Sequence, residues 1–521
     1  MINVLDYLEH TLEQMNDPDK VAFTGADGAE LSFRELSKLS RSCGSYLAGF
    51  NIRKQPVAVF MQKSPSMIAA FFGVVYSGSY YIPLDSEMPA FRIKLILDAV
   101  DPALIICDET TSTLVNEWGL EYQTIDFQKI CSSPINKEAL NEVRHNAIDT
   151  DPLYIVFTSG STGTPKGVVA THRSVIDYIE NLSAVLGVTE NTVFGNQSPL
   201  YLDACLKEVY TTLKFGSSAY LIPPSLFMFP VKLIEYINEK KINTICWVAS
   251  ALSLVAGLGA LSAKKPETLY TIAFGSEVFP IKHYNLWRET LPKAKFIHLY
   301  GPTEATGMSC FFEATRTYEP DESIPIGHPF PNTEIVLIDD NGNIPEDGQP
   351  GEICIRGTCL SPGYFGDSEK TSNVFVQNPL SAFPDLIYKT GDLGRRGIDD
   401  ELYYISRRDH QIKHMGHRIE LAEIEYVANG CSDVGLACAV FDNSDSRIVL
   451  YYVGKAGQGD GSSVLPVPGK PTKSAVKSYL KTNLPRYMMP QTIIELDSLP
   501  HTPGGKLDRV GLLQRYKEEK K

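Results

Sequence analysis

At 521 residues, with domains usually running to about 100–200 residues, the chain has length for roughly three folded units with buried cores. Its 43% hydrophobic and 21% charged residues exclude a disordered chain. The 48 Lys+Arg against 62 Asp+Glu give a net charge of −14, which disfavours nucleic acid or an anionic membrane as partner and leaves small substrates and proteins. Residues 401–521 depart from this balance, with 17 basic and 14 acidic side chains against 31 and 48 in residues 1–400. Ten cysteines without a C-x-x-C or a Cys/His cluster fit a reduced cytoplasmic protein with free thiols and argue against a structural zinc site. The N-terminus MINVLDYLEHTLEQMND lacks the basic-then-apolar order of a secretory signal. The longest strongly apolar stretch, Met67–Tyr76, is far short of the roughly 20 residues of a bilayer span, so no membrane insertion is expected.

In chain order, Ser32-x-x-Glu35 spells a capping box, and Leu36, Leu39, Cys43, Tyr46 and Leu47 recur at helical spacing, predicting a helix from Phe33 to Gly49. A buried-strand run, Pro56–Met61, follows, then a helix from about Ser64, then the run Ala103–Cys107. The rhythm recurs at Leu153–Phe157, Thr271–Phe274 and Phe296–Leu299, predicting an α/β region of parallel, helix-covered sheets. From about 323 to 404 the runs Glu334–Ile338 and Glu352–Arg356, separated by Asp339-Asp-Asn-Gly342, predict antiparallel strands with tight turns, in a small barrel or open sheet. After Asp409 a mixed pattern resumes. It is interrupted by a Gly/Ser/Pro-rich stretch, 454–471, that reads as an exposed loop in a smaller α+β domain.

The stretch richest in chemistry is Tyr154-Ile-Val-Phe-Thr-Ser-Gly-Ser-Thr-Gly-Thr-Pro-Lys-Gly-Val168. An apolar strand runs into a loop of glycines, hydroxyls and one lysine. Glycine lets backbone N–H groups turn toward an anion, and the hydroxyls and ammonium complete a phosphate cradle. It is not a Walker loop, because Lys166 stands between Pro165 and Gly167. By composition alone such a Gly/Ser/Thr loop is more often a flexible connector.

The string resembles the signature of the adenylate-forming superfamily of acyl-CoA synthetases, luciferases and peptide-synthetase adenylation domains. Four further segments fall in that family's order: His298-Leu-Tyr-Gly-Pro-Thr-Glu304, Tyr388-Lys-Thr-Gly-Asp392, Arg407-Arg-Asp-His-Gln-Ile-Lys413 running into Gly416-His-Arg-Ile-Glu-Leu421, and Thr502-Pro-Gly-Gly-Lys-Leu-Asp-Arg509. The resemblance covers essentially the whole chain. It implies a core of residues 1–408, with its β-rich subdomain, and a mobile C-terminal domain, 409–521, that swings about a hinge at Asp409. It implies ATP and Mg²⁺. The loop residues Thr158, Ser159, Gly160, Ser161, Thr162, Gly163 and Lys166 are then expected on the β- and γ-phosphates. Glu304 would hold Mg²⁺ and Thr303 the nucleotide beside it, while Asp392 and Arg407 take the ribose hydroxyls and Tyr300 lies near adenine. Lys506 is the late lysine that reaches the α-phosphate and the carboxylate. The family usually has Gly where this chain has Ser406, which puts the turn before the hinge in question.

In the resembling peptide-synthetase domains, an Asp at the position of Asp203, in Ser198-Pro-Leu-Tyr-Leu-Asp203-Ala-Cys-Leu-Lys207-Glu-Val-Tyr210, pairs with the substrate ammonium. A buried carboxylate penalises any acid that lacks the amine. The same resemblance lines the pocket with Asp203, Ala204, Lys207, Cys246, Ala273, Gly275, Leu299, Gly307 and Met308. Lys207 is its odd member, because a buried ammonium asks for an anion or several acceptors. Glutamate or glutamine would supply them, although lysine stems also line apolar pockets while the head reaches water. Gly366-Asp-Ser368 reads as a loop rather than as a phosphopantetheine attachment site. The chain runs twelve residues past Arg509, so the acyl acceptor is expected to be a separate phosphopantetheinylated carrier protein, met by the mildly basic last domain. The expected activity is that of a free-standing adenylation enzyme similar to D-alanine–carrier protein ligases. An acyl- or aryl-CoA ligase acting on a non-amino carboxylate is the alternative.

Overall fold

A computed structural model describes residues 1–160, 164–455, 473–501 and 507–520, and in it the capping box forms as the sequence spells it. Ser32 Oγ accepts from Glu35 N, Glu35 Oε2 accepts from Ser32 N, and the helix Phe33–Ala48 ends at Gly49. Ser64 caps the next helix, Pro65–Tyr76, whose residues Met67 to Tyr76 are all buried. That apolar stretch is therefore a core helix, and no helix among the described residues is long and apolar enough to cross a membrane.

By packing the chain divides into two units: Met1–Ser86, Ala99–Phe157 and Gly167–Arg408 form one, and Glu87–Asp98, Thr158–Lys166 and Asp409–Lys521 the other. The first is built on two large sheets. A six-stranded sheet runs in the order Thr124–Asp126, Leu104–Cys107, Pro56–Phe60, Tyr80–Leu84, Pro152–Thr158, Lys166–Thr171, and its first five strands are parallel. A nine-stranded sheet has a parallel centre, Lys295–Tyr300, Thr271–Gly275, Thr244–Val248, Val193–Asn196, Ser218–Leu221 and Val21–Thr24, with antiparallel strands added at both ends. Alternation along the nine-stranded sheet divides its side chains between two cores. Cys246, Ala273, Ile297 and Leu299 share one core with Val57, Val59 and Tyr154 of the other sheet. Ile245, Trp247, Ile272 and Phe274 pack on the opposite face with Tyr284 and Trp287. Burial on both faces is why these strands are continuously apolar rather than alternating.

The β-rich region is one antiparallel sheet of Thr333–Ile338, Gly351–Gly357, Phe375–Gln377, Leu386–Arg396 and Leu402–Arg407. Thr333–Ile338 pairs only with Gly351–Gly357 among the described strands, so the sheet is open, one of the two forms expected. The turn at Gly342 (φ +83°) is locked by Asp339 Oδ1, which accepts from Asn341 N and Asn343 N. Ser406 lies inside the strand Leu402–Arg407, opposite Leu393, and is not among the residues of positive φ, so no glycine is required there. Gly366-Asp-Ser368 is not a plain loop. Asp367 caps the short helix Ser368–Val374, accepting from Lys370 N, and Gly366 (φ +69°) makes the bend before it.

In the second unit, Val434–Asp442, Arg447–Gly454 and Thr492–Glu495 form a mixed three-stranded sheet packed through Ile424, Ala439, Leu450, Val476, Leu480 and Met488. Arg509 is a structural residue of this unit. Its guanidinium forks onto both carboxylate oxygens of Glu425 and also donates to Ala439 O. The predicted loop 454–471 lies almost wholly outside the described residues. All ten cysteines are buried and none is in a disulfide.

Candidate active site

The strand Lys295–Tyr300 ends at a tight reversal that places two expected site residues. Gly301 is followed by the short 3₁₀ turn Thr303–Ala305, Thr306 takes φ +56° and Gly307 φ +98°, and Ser309 N closes the loop on Tyr300 O. Glu304 is completely buried in this turn, and Tyr364 OH donates to its Oε1 at 2.7 Å. Tyr300 donates its phenol to Asp392 Oδ2 at 2.6 Å, and Arg407 Nη1 donates to Asp392 Oδ1 at 2.6 Å. Asp392 is buried and Arg407 largely so, and the Arg407 fork also reaches Thr390 O. Burial and the Asp392 carboxylate raise the Tyr300 phenol well above its ordinary range, so it stays a donor. Three segments that the sequence separates by up to 107 positions thus share one hydrogen-bonded cluster.

Asp203 opens the 3₁₀ turn that leads into the helix Leu206–Phe215. Burial pushes its carboxyl up and the nearby Glu304 adds to this, while a hydrogen bond from Thr303 and the charge of Lys207 oppose them. The structure therefore brings Asp203, Lys207, Thr303 and Glu304 together. Strand register supplies the apolar wall: Cys246 pairs with Ala273, and Gly275 with Leu299, so all four side-chain positions face the same way. A Cβ on Gly275 would lie 2.2 Å from Leu299 O, and one on Gly307 3.5 Å from the Tyr178 ring. Glycine at 275 is forced by strand approach and glycine at 307 by its positive φ. Met308 is buried in the same core, and Ala204 stands beside Asp203 in the turn.

Sequence reading missed the polar groups behind this wall. Glu208 has both carboxylate oxygens buried without a hydrogen bond, and burial pushes it up to about 7 against the pull of Lys207, nearby Asn196 and Lys63. Lys63 donates to Ser198 O at 2.9 Å, and burial lowers it to about 8. The adjacent Lys207-Glu208 pair, set between Leu206 and Val209, was the available signal.

In the second unit, Ser159 Oγ donates to Arg418 O at 2.7 Å and accepts from Glu420 N at 3.1 Å. Lys166 Nζ lies 3.8 Å from Glu420 Oε1. Both ends of the loop expected to cradle phosphate are thus held on the hairpin Gln411–His414/His417–Glu420, which turns through Met415 (φ +52°) and Gly416 (φ +78°). Thr158 and Gly160 belong to the same segment, while Ser161, Thr162, Gly163 and Lys506 lie outside the described residues. Asp409 Oδ1 accepts from Gln411 N at the foot of the hairpin.

Residues 11–365 match the model of the AMP-binding enzyme family. The chain belongs to that family. It is 29% identical over 509 residues to the D-alanine–D-alanyl carrier protein ligase of Bacillus cytotoxicus, covering 95% of this chain and 96% of that one. It is 30% identical over 503 residues to bacitracin synthase 1 of Bacillus licheniformis, covering 96% of this chain but 9% of that much longer one. A solved structure of a nonribosomal peptide synthetase protein containing adenylation and carrier domains superposes with a TM-score of 0.81 at 23% identity, covering 99% of this chain and 84% of that one. This AMP-binding enzyme thus shares its fold with adenylation domains and has ligases among its relatives.

Proposed function

We propose that this enzyme joins an amino acid to AMP and passes the aminoacyl group to the phosphopantetheine thiol of a carrier protein. The observation that carries the reading is the placement of Asp203, a carboxylate within the influence of Thr303, Glu304 and Lys207. A substrate whose ammonium pairs with Asp203 would bring its own carboxylate toward the turn that holds Thr303 and Glu304. That carboxylate attacks the α-phosphorus of ATP, the bond to the bridging oxygen breaks, and pyrophosphate leaves. The carrier thiol then bonds to the acyl carbon, the acyl–phosphate C–O bond breaks, AMP leaves, and the thiol proton passes to solvent.

Each residue has a task set by charge. Asp392, aligned by Tyr300 and Arg407, offers a fixed acceptor for ribose hydroxyls. Glu304 is a hard oxygen donor engaged by Tyr364, which suits a divalent cation held through one carboxylate and the nucleotide's own phosphates. Mg²⁺ bound there would offset phosphate charge. Lys166, and Lys506 by its place in the family's motif, supply the remaining positive charge. The carrier-protein ligase among the relatives and the carrier domain in the solved structure support a carrier thiol as acceptor. ATP–pyrophosphate exchange across L- and D-amino acids, followed by loading of a holo-carrier or of free coenzyme A, tests the reading. Exchange with non-amino acids alone would overturn it in favour of a CoA ligase.

Lys207 further points to a glutamate-like or glutamine-like side chain. It is 4% exposed, and its ammonium feels the charges of Asp203 and Glu208 without a hydrogen bond or close ion pair among the described residues. Lys207→Leu should cost the acidic substrate about tenfold or more in kcat/KM while sparing neutral ones, since one charge-assisted bond is worth roughly 1.5–3 kcal/mol. An unchanged profile would discard the idea. Glu208 titrates near 7, so as pH falls it loses the negative charge that offsets Lys207. Preference for an acidic side chain should therefore sharpen below about pH 7.

A further inference from the structure

A cavity of about 110 Å³ lies in the first unit between the helices Leu5–Gln14, Phe33–Ala48, Pro65–Tyr76 and Lys137–His145 and the start of the strand Pro152–Thr158. Three guanidiniums line it: Arg41, Arg53 and Arg144. A volume several times that of one water, about 30 Å³, in a site this rich in donors is not an apolar packing void.

The acids that line or flank the cavity are already engaged. Glu9 accepts from Tyr76 OH and from Arg144, Asp6 accepts from Arg144, and Asp151 accepts from Ile148 N and pairs with Lys54. Arg53 donates to Asn146 O. His172 accepts from Val4 N, and burial together with Arg144 lowers its pKa to about 4, so it adds no charge at neutral pH. Two donors are left over. Arg41 Nε and Arg144 Nη1 are buried without a hydrogen-bond partner, and Arg41 forms no ion pair among the described residues. Buried donors without acceptors are costly, and arginine forks match planar or tetrahedral oxygens.

We propose that this cavity binds a small oxyanion of the phosphate or carboxylate class, held by Arg41 and Arg144 with Arg53 beside them. The lining carries three guanidiniums against Glu9 and Asp151, a surplus of one positive charge that suits a singly charged anion. The site is separate from the adenylating residues. It adjoins Pro152, the first residue of the strand Pro152–Thr158, and none of its lining residues is among those assigned to adenylation. Its occupant would tie the helix Phe33–Ala48 to the helix Lys137–His145, so its binding reads out as stability rather than as chemistry.

The test uses the full chain with inorganic phosphate as probe, at constant ionic strength against chloride. Saturating phosphate should raise the melting temperature by about 3 °C, and Arg41→Gln should weaken the apparent affinity at least tenfold while leaving pyrophosphate exchange unchanged. An equal shift in the variant would place the anion elsewhere and overturn the proposal, as would no shift in the parent. Hydrogen selenite, singly charged at neutral pH, soaked into crystals of the parent gives a second readout that does not depend on the variant folding. Anomalous density between Arg41 and Arg144 supports the site, and density confined to the Ser159–Lys166 loop overturns it.

Discussion

Replacing Asp203 with Asn should abolish pyrophosphate exchange for every amino acid the parent enzyme accepts, with a fall of about 10³ in kcat/KM. The change keeps shape and one acceptor oxygen but removes the charge that an ammonium group requires. Losing a charge-assisted bond costs roughly 1.5–3 kcal/mol, and leaving the substrate's cation desolvated and unpaired costs more; a sum near 4 kcal/mol corresponds to that factor. Steady-state exchange with parent and variant measures it, and retention of more than a tenth of the activity would remove Asp203 from the substrate's amine. A pH signature accompanies the loss. Burial, aided by Glu304, raises the Asp203 carboxyl above the ordinary carboxylate value, so the parent should lose kcat/KM as pH falls through that raised pKa, earlier than an exposed carboxylate would. The variant has nothing to protonate at this position and should lack that limb.

How far the sequence spoke for itself depended on whether the deciding force was local. The Ser32/Glu35 capping box was legible because both bonds close within four residues, and the strands at 56–60, 104–107, 271–275 and 295–300 because burial on two faces leaves only apolar side chains. The short helix at Ser368 was missed because an Asp cap after Gly366 is also how a turn is written. Ordered motifs gave candidate site residues as positions, but not the contacts among them. Nothing local tells Tyr300 that it will donate to Asp392, or Asp392 that Arg407 will lie opposite it across two strands. Glu420 illustrates the same limit. It was read only as part of a motif, yet its backbone N–H bonds Ser159 and its carboxylate faces Lys166, more than 250 positions earlier in the chain. Pairings across such sequence distances are fixed by the completed fold and leave no periodicity to read.

Substituting Asp409 with Pro should separate the two half-reactions, leaving pyrophosphate exchange within about threefold of the parent and lowering carrier loading by roughly 30-fold or more. The division of the chain into packed units falls between Arg408 and Asp409. Up to that point the backbone is tied down on the first unit. Arg407 is paired with Asp392, Arg408 N donates to Gly391 O, and the Arg408 side chain pairs with Asp340 at 2.7 Å. Immediately after it, Asp409 Oδ1 accepts from Gln411 N and the hairpin of the second unit begins. If one unit turns between the adenylation and thioester steps, the change in φ and ψ has to be absorbed between Arg408 and Gln411, at the backbone of Asp409 and His410, and Asp409 is the first of the two. Proline fixes φ near −65° and restricts Arg408 to extended backbone, so it freezes one pose rather than unfolding either unit. Asp409→Ala, which keeps the rotation but removes the carboxylate, serves as the control and should load the carrier nearly as well as the parent. Equal losses in exchange and loading for the proline variant, or equal loading defects in both variants, would show that the turn does not act as the pivot.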